Sequence, residues 1–201
     1  MARRIHWNGS LVSRHGDGAA PAWGRVLLPC LFLGLLGGTL IGLYAPQASV
    51  RVFGLTLGAY APAPRSFLSA LWGFGAWFLA LALCATSWAG AVPAAGLLLL
   101  AGFRLGCSVA ALYAADRYAG LLEALLRYGL PALAVLPCLL LAAGGSLRAS
   151  AELLRLRLGT PAPPMTRPML PLWLLCAAAS ALCALYTSAL LPLLLALTGL
   201  A

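Results

Sequence analysis

Lysine is missing from this chain altogether, and acidic residues number only four: Asp17, Asp116, Glu123 and Glu152. Charged side chains make up 8% of the residues, where soluble domains carry roughly 25%. So few charges cannot cover a water-exposed globular surface, which excludes a soluble domain. Histidine is nearly absent too. His6 and His15 both precede the first long apolar run, so no span holds an imidazole to activate a serine. No glycine-rich phosphate loop is present either. Together these absences argue against an enzyme. The six cysteines, Cys30, Cys84, Cys107, Cys138, Cys176 and Cys183, lie inside apolar runs without a C-x-x-C pair or an adjacent histidine. That pattern suggests neither zinc nor a disulfide framework, and no residue set calls for a cofactor. The thiols read as small apolar packing groups.

What fills the chain instead is hydrocarbon. Of 201 residues, 63% are hydrophobic, and the mean hydropathy is +0.96. Lipid tails cannot hydrogen-bond stray backbone groups, so spanning segments must be helices or a closed barrel. Unbroken apolar runs without period-2 alternation choose helices. The expected fold is therefore all-α, a polytopic transmembrane bundle of about five spans with the bilayer as its first partner.

A basic tail over residues 1–25 leads into a single membrane domain over residues 26–201, with spans expected at about 26–44, 67–88, 93–115, 128–147 and 172–197. The first run is longer than a signal-peptide core and lacks a nearby small-x-small cleavage site, so it reads as an uncleaved span. Val50 to Tyr60 alternates between prolines and reads as a hairpin or a membrane-lying loop. Pro93 suits the first turn of the third span. Between spans three and four, Tyr118, Leu121, Leu122 and Leu125 form a stripe opposite Arg117, Gly120, Glu123 and Arg127. This predicts a short amphipathic helix lying in the interface. The prolines between Gly159 and Pro171 make a stiff connector, and Pro192 predicts a kink late in span five.

All thirteen basic residues are arginines, and the net charge is +9. Their place at helix ends points to topology signals and phospholipid headgroups rather than nucleic acid. With the tail inside, eight arginines (3, 4, 14, 25, 148, 155, 157 and 167) face four (51, 65, 117 and 127). The bias expects a cytoplasmic N-terminus and an external C-terminus.

Gly34, Gly38 and Gly42 recur every four residues, and Gly102, Gly106, Ala110 and Ala114 repeat the device in span three. Ser180, Ala184 and Ser188 do so more weakly in span five. Such faces let helices approach closely, either within one bundle or between a homo-oligomer's copies or partners. Arg104 sits within span three, where an arginine costs about 2.5–3.5 kcal/mol on insertion scales. It should line a protein-walled polar cavity, or else snorkel from a helix broken near Gly102 and Gly106. Arg148, Glu152 and Arg155 share one helix face at the cytoplasmic end of span four. Asp116 and Glu123 are seven apart, which reads as a solvated face.

The order of these features resembles the stage II sporulation protein M family. The resemblance rests on LFLGLLGGTLIGLY, on FGAWFLALALCATSWAGAVPAAGLLLLAGFRLGCSVAALY, on GLLEALLRYGLPALAVLPCLLLAAGGSLRASAELL and on a last span near the C-terminus. It covers about residues 26 to 200 and is most specific at Gly102-Phe103-Arg104-Leu105-Gly106 and at the pair Pro131 and Pro137. Ala132 and Leu133 stand where relatives often carry a polar residue. What the resemblance implies is a non-enzymatic platform in endospore formation, at the sporulation septum and the engulfing mother-cell membrane. It would recruit the stage II sporulation proteins D and P, which remodel peptidoglycan. The competing expectation is a small transporter or permease subunit with a polar site near Arg104.

Overall fold

A computed structural model describes residues 24–44, 50–52, 55–57, 66–159 and 170–198. The basic tail up to residue 23, most of the 45–65 loop and the proline connector at 160–169 lie outside the described residues. The fold is an all-α bundle. Helix α1 spans Gly24–Tyr44, and two three-residue strands follow, β1 (Val50–Val52) and β2 (Leu55–Leu57). They pair antiparallel, with Arg51 opposite Thr56, so the alternating stretch is a hairpin.

Helix α2 spans Phe67–Ala85, and the Ser66 side chain accepts a hydrogen bond from the Ser69 amide at its start. A tight turn over 86–90 leads into α3, Ala91–Ala124. Helix α4 is Leu130–Arg157 and α5 is Leu170–Leu185. A final helix, α6, covers Leu191–Thr198. Among the described residues four stretches are long and apolar enough to cross a membrane: 25–44, 67–85, 91–157 and 170–198.

The third of these is folded double. Asp116 (φ −131°, ψ 18°) and Arg117 (φ 46°, ψ −106°) leave helical geometry. Beyond them, the backbone of Gly120 lies against the carbonyl of Leu112. In a straight helix those residues would stand ~12 Å apart along the axis, so the chain reverses at this corner. Far from the corner the same reversal brings Gly90 beside the Ser150 hydroxyl. The result is five helical arms. Arg117 takes the only positive φ of any non-glycine residue among those described, a conformation that costs an L-residue about 1–3 kcal/mol.

Side-chain contacts fix the direction of each arm. The Ser146 hydroxyl donates to the Leu81 carbonyl at 2.7 Å and Ser150 to Cys84 at 3.1 Å, so α2 and α4 run parallel. Cys176 meets the Cys138 carbonyl and Cys183 the Pro131 carbonyl, each at 3.8 Å, so α5 runs antiparallel to α4. These two cysteines do share a face, and it packs on α4. A core of Phe78, Leu81, Leu98, Leu139, Ala142 and Cys176 fills the space between α2, α3, α4 and α5.

The structure corrects the expected interfacial helix over 116–127. Residues 118–124 open a helical arm that continues through a widened turn, Leu125–Gly129, into α4. The stripe of Tyr118, Leu121, Leu122 and Leu125 points outward, and Tyr118 is 87% exposed, whereas Gly120 and Glu123 face inward. The amphipathic pattern is thus inside out. Lipid solvates the apolar side, so the polar side turns to the bundle. Span four accordingly begins near residue 118 rather than 128 and, as the pattern past Leu147 suggested, runs to Arg157.

Candidate functional site

The glycine ladders meet one another. The backbone carbonyls of Leu99, Phe103 and Cys107 on α3 lie over Gly34, Gly38 and Gly42 on α1, and those of Leu31 and Leu35 lie over Gly102 and Gly106. A Cβ at any of the five would land on a carbonyl oxygen. Ala110 closes the top of the ladder against Gly42, while Ala114, one rung further, is exposed. Both ladders advance in the same sense, so α1 and α3 are parallel. With no hydrophobic drive between helices in lipid, such close approach is what makes a seam adhere. These residues therefore pack the bundle internally. In α5, Ser180 and Ala184 are likewise buried.

Arg104 is half-buried on a helix that stays regular from Ala91 until Asp116. Gly102 and Gly106 do not break it, which removes the short-helix explanation. Asp116 and Glu123 do not form an aligned pair: Asp116 is exposed at the corner, whereas Glu123 is 8% exposed. Arg148 and Arg155 are exposed near the end of α4, and Glu152 between them is half-buried. Beyond that face the Arg157 guanidinium stands 4.8 Å from the centre of the Trp88 ring, a cation–π contact that ties the end of α4 to the α2–α3 turn.

The ionic centre of the molecule is one that the sequence pattern had placed on the surface. The Arg127 guanidinium lies 2.7 Å from the Glu123 carboxylate, one helical turn away. Counted along the helix, Arg127 lies ~15 Å from the corner. Arg104, on the neighbouring arm, is at a comparable depth on the same count. Ser108, also buried, stands one turn beyond it towards the corner.

Around this pair the backbone is unusual in two places. At Leu125–Gly129 the helix widens to a π-turn, in which the Leu130 amide reaches back five residues to Leu125. At Tyr186–Leu190 it widens again, with the Leu191 amide bonded to Tyr186. Each π-turn ends two residues before a proline, in the sequences LLRYGLP and YTSALLP. Proline has no amide proton and its ring strikes the carbonyl four residues back, so widening the helix ahead of it relieves the clash. In the π register, Pro131 would have donated to the Leu126 carbonyl. That carbonyl instead accepts the Tyr186 hydroxyl at 2.9 Å. The kink expected from Pro192 is therefore a π-turn, and the defect it makes supplies the group that repairs the other.

Sequence reasoning missed the Glu123–Arg127 pair and the two π-turns. The signals were present: an i, i+4 acid–base pair on an otherwise apolar arm, and a Leu-Pro step in each of two arms. Among the described residues no three histidine, cysteine, aspartate or glutamate side chains gather into a metal-binding group. In comparisons with known proteins, no family model, curated protein or solved structure matches the chain.

Proposed function

We propose that this protein is a non-enzymatic membrane platform of endospore formation, holding peptidoglycan-remodelling partners at the engulfing membrane. One observation carries the platform part. Because α1 and α3 are parallel and level at Gly42 and Ala110, the C-terminal end of α1, from which residues 45–65 continue, and the Asp116–Tyr118 corner lie at the same end of the bundle. An external docking face would draw on both, and the arginine bias favours that end as the outer one. Beyond the corner, Gly120 and Glu123 turn inward and are no part of this face. The resemblance to the stage II sporulation protein M family supports the spore-forming context and makes the stage II sporulation proteins D and P the partners to look for.

Deleting the gene in a spore former and following the septum with a membrane dye tests the proposal. Stalled engulfment with partners dispersed from the septum is expected; normal engulfment overturns it. A second reading, a transporter or permease subunit, draws on a specific feature, the ionic pair inside the bundle at the depth of Arg104. Intramembrane charges commonly mark substrate or ion paths. Normal engulfment with lost uptake of a solute would select it.

A further inference from the structure

The seven residues 118–124 are bounded by a break at each end, the corner at Asp116–Arg117 and the π-turn at Leu125–Gly129. We propose that this segment is a hinged flap, and that the Tyr186 hydroxyl is the latch that holds its hinge shut. The inference is independent of the platform reading.

Three features converge on it. At Gly120 the flap rests on α3 backbone against backbone, on the Leu112 carbonyl, and of its side chains only Glu123 and Ala124 are buried, so little packed surface has to part when it lifts. Its outward face is apolar whether seated or raised, so lipid solvates it in both positions. Its hinge is a π-turn, whose looser hydrogen bonding commonly marks functional positions. The Leu126 carbonyl within that hinge, which Pro131 cannot satisfy, is held by a single side chain from another arm. The Glu123–Arg127 bridge spans the joint between flap and hinge, so movement of the flap changes the ionic centre directly. Because Tyr186 belongs to the second π-turn, any shift of α6 is passed to the flap through the same bond.

Hydrogen–deuterium exchange on the full chain in lipid nanodiscs tests this, comparing wild type with Tyr186→Phe and Gly120→Ala. Tyr186→Phe keeps the ring and removes only the latch. Exchange over 118–130 should rise about threefold, the factor expected for one interhelical hydrogen bond in a membrane, while 94–110 stays at the wild-type rate. Gly120→Ala, which puts a methyl group on the Leu112 carbonyl, should raise it further. If Gly120→Ala does not fold, Tyr186→Phe decides alone. Unchanged exchange over 118–130 in Tyr186→Phe, or a rise spread equally over 94–110, overturns the proposal.

Discussion

The α1–α3 seam and the α4–α5 seam solve the same problem by opposite means. Between α1 and α3 the contact is made by having no side chain: five glycines let carbonyls of one helix rest on the backbone of the other. Between the α4 and α5 arms the contact is made by side chains that reach the backbone opposite, Tyr186 on the Leu126 carbonyl that the π-turn leaves without a proline donor, and Cys183 and Cys176 on the carbonyls of Pro131 and Cys138. The first seam is regular along its length. The second contains two π-turns. In a lipid medium, where burial of apolar surface separates nothing, close packing and polar repair are the two remaining sources of adhesion, and this chain assigns them to different pairs of helices.

That contrast can be broken at its strongest point first. Gly38→Leu would drive a side chain into the Phe103 backbone, and since backbone cannot yield as a rotamer can, the folded protein should be lost. The check is size-exclusion chromatography in detergent, where a wild-type elution profile would mean that the seam is looser than described. Next comes the ionic pair. Arg127→Leu leaves Glu123 buried without its bridge partner and should cost about 3–5 kcal/mol. Glu123→Leu combined with Arg127→Leu should recover most of the loss, and a thermal-stability double-mutant cycle measures it. Additive losses would show that the two residues do not act as a pair.

Weaker effects sharpen the comparison. Ser146→Ala removes the hydroxyl that ties α4 to the Leu81 carbonyl and should cost about 0.6 kcal/mol, the usual worth of an interhelical hydrogen bond in a membrane. Gly37 neighbours the ladder but faces aside: a Cβ there meets only the Phe103 ring at 3.8 Å. Gly37→Ala should leave the melting temperature within a degree or two of wild type. A large drop would mean that glycine content, rather than the four-residue spacing, holds the seam.

The difference between the seams also explains what the sequence made legible. A glycine ladder is local information: the spacing of Gly34, Gly38 and Gly42 names the face, and a second ladder at Gly102 and Gly106 names its counterpart. The apolar runs gave the helices for the same reason. The end of span three at residue 115 was legible, but not the tightness of the corner, because Arg117 adopts a backbone conformation usually left to glycine and Asp116 carries no breaker signal. With span four expected to start only at residue 128, the pattern of 118–127 was read by the rule for a helix at the water interface, which puts its polar side out. Placed in lipid, the same pattern obeys the reverse rule, and Glu123 and Arg127 go inside. The Tyr186–Leu126 bond joins residues sixty positions apart, and no local pattern encodes it. Each proline announced a defect, but only the fold shows that the two defects face one another.

The central claim is the reversal at Asp116–Arg117, since it converts one 67-residue stretch into two arms and sets the direction of everything after it. Labelling with a membrane-impermeant thiol reagent tests it in the full chain, using Ala89→Cys, Arg117→Cys and Gly159→Cys in turn. Four of the native cysteines are buried, whereas Cys30 and Cys84 are half-buried and Cys84 adjoins the 86–90 turn, so Cys30 and Cys84 are first replaced by alanine in the labelled chains and their control. Residues 89 and 159 should label from the same side and residue 117 from the opposite one. Labelling of 89 and 159 from opposite sides would contradict the account.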